Sequence, residues 1–426
     1  MGLQKMSLVY AYRDLSVPYN TAINFTDIRD DGDIEQEDEE VVDDYKDEAP
    51  LPAMKELRVT GMGTNDPHPP TWSRFFKRCE HLRALHVSSI DQSWVQALAE
   101  CRTVERLTLV VADIEILRLL TTALRTGLPS LNELCIEDLH ASDEALASVL
   151  SVCRAGWRSI ELPTINSCSV DALIEHHCPT LEVIKVLTVP EISSTQMVQI
   201  LASSPRLHTF VMFDEEFIFD PKEPHFEADD FIDLDHSTGQ LRPWLCESTL
   251  KEFRAHVTGI PRPDLNRTFH GHPLGEGMVM PESFPGQGRE LQRRVYGRLA
   301  RFTSLETLML GNEDRNFDNT SRYVESEMTI EEEDDEDHQY TCLEMSLSSG
   351  LQALGSLKKL RELRIMRMAT AIGVEEVQWM VQSWPRLKKL SGLNYSAEAS
   401  VQAASWMRER CPRIAVNMCK RGVTIE

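Results

Sequence analysis

Side chains able to do chemistry are plentiful in this 426-residue chain, but their spacing does not suit catalysis. There is no GxxxxGKS/T loop to cradle phosphates and no GxGxxG after a strand. A GxSxG elbow, an HExxH pair and the kinase signature set are missing too. The densest metal-like cluster is His176-His177-Cys178, whose members are adjacent at one helix end and cannot all face one ion. The acidic run from Glu331 to Asp337 lacks the alternating ligands and turn glycine of a calcium loop. No catalytic residue, cofactor or metal is therefore expected. The chemistry left is recognition, by arginines, lysines and apolar side chains presented from strands.

Those strands recur. Eleven phrases spaced L-x-x-L-x-L run along the chain: Met54-Leu57-Val59, Leu82-Leu85-Val87, Val104-Leu107-Leu109, Leu131-Leu134-Ile136, Trp157-Ile160-Leu162 and Leu181-Ile184-Val186. They continue as Leu207-Phe210-Met212, Leu250-Phe253-Ala255, Leu305-Leu308-Leu310, Leu360-Leu363-Ile365 and Leu387-Leu390. After each phrase come a loop and a helical pattern, such as Ser142 capping the stripe Ala145, Leu146, Val149, Leu150 and Cys153. Ser193 or Ser194 opens another, with Met197, Ile200 and Leu201 inward, and Val374, Val377, Val381 and Trp384 form a third. This predicts an α/β fold: a right-handed leucine-rich-repeat solenoid, or horseshoe, with parallel strands on the concave face and helices on the convex face. Residues 51–426 hold about 11 repeats, preceded by an acidic, largely disordered segment over 1–50.

Spacing is 22 to 28 residues through the first seven phrases, then 43, 55 and 55. The extra length predicts rim insertions at about 213–243, 257–287 and 311–341, side by side on one edge. Insertions gathered on one face mark a binding side, or else drift in surface loops. The net charge of −24 is concentrated: Asp27–Glu48, Asp214–Asp235 and Glu313–Asp337 together carry −30, leaving +6 for the remainder. The middle insertion leads into a helix over 288–302 with Leu291, Val295, Leu299 and Phe302 inward and Arg289, Arg293, Arg294, Arg298 and Arg301 on other faces. Those arginines are counter-charges for the acidic loops or a site for an acidic partner. Ten cysteines form no CxxC pair, and Cys79, Cys101, Cys153, Cys178 and Cys411 fall at helix ends as small buried hydrophobes. That pattern, with no secretory core at the N-terminus and no apolar run of about 20 residues, places the chain in the cytoplasm or nucleus, with no membrane partner expected. The sequons at Asn24, Asn266 and Asn319 are read as chance.

Strand side chains alternate between core and groove. Most groove positions are polar, but Val183, Leu187, Val211 and Phe213 form an apolar block. With Lys185, Thr209, Arg254 and Arg364 around it, this block is the expected protein-binding site, unless the first acidic insertion folds over it.

The turn Cys178-Pro179-Thr180-Leu181-Glu182-Val183-Ile184, with variants Trp384-Pro385-Arg386-Leu387 and Cys411-Pro412-Arg413-Ile414, resembles the cysteine-type repeats of F-box leucine-rich-repeat proteins. Gly259-Ile260-Pro261-Arg262-Pro263-Asp264, Arg293-Arg294-Val295-Tyr296 and Gly373-Val374-Glu375-Glu376-Val377-Gln378-Trp379 look like an expanded F-box-like group of early-diverging filamentous fungi. The resemblance runs from about Ala53 onward. It implies a horseshoe that captures a protein client, and a Skp-type adaptor and cullin docked through an F-box. Met1 to Pro50 shows no Leu-Pro-x-Glu start, so the F-box has been lost or the sequence begins too late. The expected function is a non-enzymatic protein-binding solenoid, by resemblance a substrate-recognition subunit of a ubiquitin ligase. Other readings are a plain scaffold or a small-GTPase regulator resembling the Ran GTPase-activating proteins. The latter carry an asparagine after each strand, where Thr60, Ser88, Val110 and Leu187 stand here. Nucleic acid is not an expected partner.

Overall fold

A computed structural model describes residues 5–9, 54–60, 76–88, 90, 97–98, 101–212, 225–235, 237–260, 284–310, 343–365, 369–370, 372–394 and 397–419. The chain divides into two compact units, Met1–Ser159 and Ile160–Glu426.

In the first unit the strands β1 (Lys5–Val9), β2 (Glu56–Thr60), β3 (Ala84–Val87), β4 (Arg106–Asp113) and β5 (Glu133–His140) lie in chain order, all parallel. Register aligns the repeated apolar positions: Leu57 with Leu85, Leu85 with Leu107, Leu107 with Leu134. All four are at most 1% exposed, as period-two alternation requires of the inward row. Helix α1 (Ile114–Thr126) starts where Asp113 accepts a hydrogen bond from the Ile116 amide at 2.8 Å, and buries Leu117, Leu120 and Leu124. Helix α2 (Asp143–Ser151) buries Leu146, Val149 and Leu150, the stripe read from the sequence.

The second unit continues the plan. Its sheet runs in the order β6 (Ser159–Asn166), β7 (Val183–Glu191), β8 (Thr209–Val211), β10 (Glu252–Arg254), β12 (Thr307–Met309), β14 (Glu362–Arg364), β16 (Lys389–Asn394) and β17 (Ala415–Cys419). Between them stand α3 (Ser167–His176), α4 (Ser194–Ser203), α5 (Ala228–Ile232), α6 (Phe284–Leu299), a 3-10 turn (Leu351–Ser356), α7 (Val374–Ser383) and α8 (Glu398–Arg410). α4 opens on a capping box in which Ser193 and Gln196 bond reciprocally. Two short parallel pairs lie beside the main sheet: β9 (His225–Glu227) with β11 (His256–Thr258), and β13 (Glu344–Met345) with β15 (Ala369–Thr370). The core around β8 and β10 is aromatic. Phe253 stacks on Phe210 at 5.8 Å, and Phe226, Phe231 and Phe302 lie within 5.9 Å of it, all four fully buried.

Each of the eleven phrases is a strand, and the described helices follow the strands as expected. Of the described main-sheet strands, β1 and β17 were not among the phrases, and neither were the four short strands β9, β11, β13 and β15. β1 falls inside the segment expected to be largely disordered; its acidic remainder lies outside the described residues. Residues 225–235 and 237–243 lie inside the first expected insertion, yet they form β9, α5 and a turn whose Phe226 and Phe231 fill the core. β11 runs into the start of the range expected for the second insertion, and α6 begins at Phe284, inside that range. Among the described residues, no helix is long and apolar enough to cross a membrane.

Cys79, Cys101, Cys153, Cys178 and Cys246 are buried, Cys411 is half-buried and Cys168 is exposed. Burial pushes Cys79 and Cys153 up to about 11 and Cys246 up to about 12, and it raises Cys178 as well.

Two outcomes follow from this core. Phe253→Ala is expected to lower the unfolding free energy by about 3–5 kcal/mol, read in a urea titration followed by circular dichroism. The raised thiols favour the folded chain below the ordinary thiol value near 8.5, and that stability is lost progressively as pH rises from there through the folded values of about 11 to 12. Calorimetry from pH 8 to 11 should show a falling Tm, and Cys246→Ala should blunt the fall.

Candidate functional site

The outward positions of the strands form two rows. In the first unit one row reads Glu56, Ala84, Arg106, Glu133 and the other Arg58, His86, Thr108, Cys135. Arg106 on β4 reaches Glu133 on β5 at 2.5 Å, a cross-strand ion pair. Burial pushes the His86 imidazole down, Arg58 adds to this, and Glu137 and Glu56 oppose it, so the ring is neutral at physiological pH.

In the second unit register fixes the rows as Val183, Thr209, Glu252, Thr307, Glu362, Lys389 and Lys185, Val211, Arg254, Met309, Arg364, Ser391. Lys185, Val211 and Arg254 are thus neighbours on β7, β8 and β10. Arg364 stands two strands beyond Arg254, about 10 Å away at the usual strand spacing. Each arginine is bound along its own strand, Arg254 to Glu252 at 2.6 Å and Arg364 to Glu362 at 2.6 Å. Lys389 reaches Glu362 at 2.9 Å. Burial raises the Glu362 carboxyl, but the hydrogen bonds and charges of Lys389 and Arg364 outweigh it and hold it below its ordinary value.

Of the expected site residues, Val183, Lys185 and Leu187 on β7 are half-buried and accessible. Thr209 and Val211 on β8 are 8% and 6% exposed. The apolar block expected on an open face is therefore closed at these two positions. Phe213 lies outside the described residues. Met309 at 0% and Arg364 at 8% are enclosed as well, so this part of the row is a packed floor and β7 offers the accessible apolar surface. Lys185 holds Glu161 on β6 at 3.4 Å beside it.

No protein-family model matches the chain. No curated protein matches it in sequence either. Among solved structures, it is similar to a chain in the crystal structure of the Rad7 and Elc1 complex in yeast, with a TM-score of 0.40 and 13% identity. The match covers 80% of this chain and 64% of that one, so this chain spans about two-thirds of the yeast chain's length.

The basic helix α6 carries a residue whose place was misread. Arg298, expected off the inward face, is fully buried. It donates to the carbonyls of Arg242 at 2.6 Å and Ile232 at 2.7 Å, bonds Glu247 at 2.9 Å, and lies 4.2 Å over the Trp244 ring. Arg301 meets the same Glu247 at 2.9 Å. Burial pushes Arg298 down to about 10, opposed by Glu247, so it stays cationic at neutral pH. These two arginines are spent on the 232–247 segment, while Arg289, Arg293 and Arg294 remain exposed. The signal was present, since 298 follows Leu291 and Val295 at helical spacing.

His177 and Cys178 are buried while His176 is half-exposed beside Glu175 at 3.8 Å. Among the described residues, no group of three or more His, Cys, Asp or Glu side chains is gathered to hold a metal ion.

Glu362→Gln removes the charge that neutralises Arg364, and should destabilise the chain by about 1–3 kcal/mol at pH 7. A carboxyl held below its ordinary value stabilises above that value and stops doing so as pH falls through its folded value. The gap in Tm between wild type and E362Q should therefore close below about pH 4.

Proposed function

We propose that this chain is a non-enzymatic protein-binding solenoid that engages a client through the outward face of its strands, with Val183, Lys185 and Leu187 of β7 at the centre. The observation that carries the reading is the unevenness of that face. Val183 and Leu187 keep apolar surface accessible, while the next strands present a closed floor with its charges paired. Apolar surface with a polar rim is the pattern of an interaction site. Val211, Thr209, Arg254 and Arg364 then act as the support that fixes β7 rather than as anchors in the contact, and Phe213 joins the proposal from the sequence alone. The finer reading, a substrate-recognition subunit acting with a Skp-type adaptor and a cullin in the cytoplasm or nucleus, rests on the sequence resemblance.

Affinity capture of the tagged chain from its own cells, with bound proteins identified by mass spectrometry, tests both levels. Recovery of an adaptor and a cullin supports the ligase reading; other proteins without them leave a binding solenoid. Val183→Asp with Leu187→Asp should reduce client recovery by about tenfold, equivalent to 1.4 kcal/mol, with the circular dichroism spectrum unchanged. Undiminished recovery would move the site elsewhere.

A further inference from the structure

β1 is the terminal strand of the sheet in the first unit. It pairs with β2 over five residues in register, Lys5 with Glu56 through Val9 with Thr60. Of the described strands, β2 is the one it pairs with, whereas β2, β3 and β4 have a neighbour on each side. Residues 10–55 separate the two strands, a 46-residue connection containing the Asp27–Glu48 run of net charge −11. β2 itself is a finished strand: Leu57 and Val59 are 0% exposed and align with Leu85 and Val87 of β3. Its free side is a row of backbone donors and acceptors that needs a partner strand, and Lys5–Val9 fills that need.

We propose that the Glu56–Thr60 edge is a parallel β-augmentation site, and that Lys5–Val9 is its resident, exchangeable occupant. The ligand class is an extended peptide entering parallel to β2, with apolar residues at the two positions that Met6 and Leu8 take beside Leu57 and Val59. Register supplies the selectivity, because a one-residue slip places the wrong set of side chains against Leu57 and Val59. Covalent attachment supplies the threshold: a free peptide competes with an intramolecular occupant, so it binds once the resident strand is weakened. This site uses a backbone edge in the first unit. It stands or falls independently of the side-chain face of β7.

The test uses the full chain and a fluorescein-labelled synthetic peptide of residues 3–11. Met6→Asp with Leu8→Asp weakens the resident strand, and the variant is expected to bind the peptide at least about tenfold more tightly than wild type in an anisotropy titration. A peptide carrying Asp at those same two positions should bind neither protein. Equal affinity for the two proteins, or no binding to a variant that keeps the wild-type circular dichroism spectrum, overturns the proposal. Hydrogen exchange on the unaltered protein decides it independently should the variant misfold. The Lys5–Val9 amides are expected to exchange at least about tenfold faster than those of Ala84–Val87, and equal protection overturns exchangeability.

Discussion

The entry to each strand is where the structure is held. In the first unit the amide of Arg83 donates to the carbonyl of Lys55 at 2.8 Å, Glu105 to Arg83 at 2.8 Å, and Asn132 to Glu105 at 3.0 Å. In the second unit Lys251 donates to His208, Glu306 to Lys251, Arg361 to Glu306 and Lys388 to Arg361, all between 2.7 and 2.8 Å. The same position of each of these turns thus bonds its counterpart one turn back. A second recurring bond closes the approach, as in Leu305 to Phe302, Leu360 to Leu357 and Leu387 to Trp384. With the entry pinned, register has one solution, and both the buried leucine row and the outward rows follow from it.

This explains how much could be read in advance. The phrases report the inward row directly, so the strands, the parallel order and the outward residues were legible from leucine spacing. β1 was not, because Lys5-Met6-Ser7-Leu8-Val9 is short and sits beside a long acidic segment that dominates local composition. β17 was not, because Ala415-Val416-Asn417-Met418-Cys419 carries no leucine. The closure of the floor at Val211 and Met309 was hidden for a different reason. Alternation tells which side a residue faces, and it is silent on what lies against that side.

Charge was the other place where residue type misled. Arg298 occupies an inward helical position, and its type suggested the opposite. The guanidinium is accommodated because three backbone carbonyls, Glu247 and the Trp244 ring take up most of its donors and its cationic face, although its Nε finds no partner among the described residues. Trp244 in turn donates to Asp233 at 3.0 Å. One buried cation thereby joins α6 to the 232–247 segment. In the outward rows charge is handled more locally: Glu252 with Arg254 and Glu362 with Arg364 neutralise each other two residues apart on one strand.

The uneven length of the connections has an entropic reading. Equivalent leucines are 55 residues apart from Leu308 to Leu363 and 27 apart from Leu363 to Leu390, yet both steps end in the same three-residue register. Doubling a connection adds only about 0.6 kcal/mol to its closure cost, less than one of the entry hydrogen bonds contributes. Length after a strand is therefore nearly free to vary in this architecture, whereas a single residue gained or lost between Glu306 and Met309 would shift every side chain of that strand to the other face. Natural variation and engineered insertions alike should be tolerated in the connections and rejected in the strands.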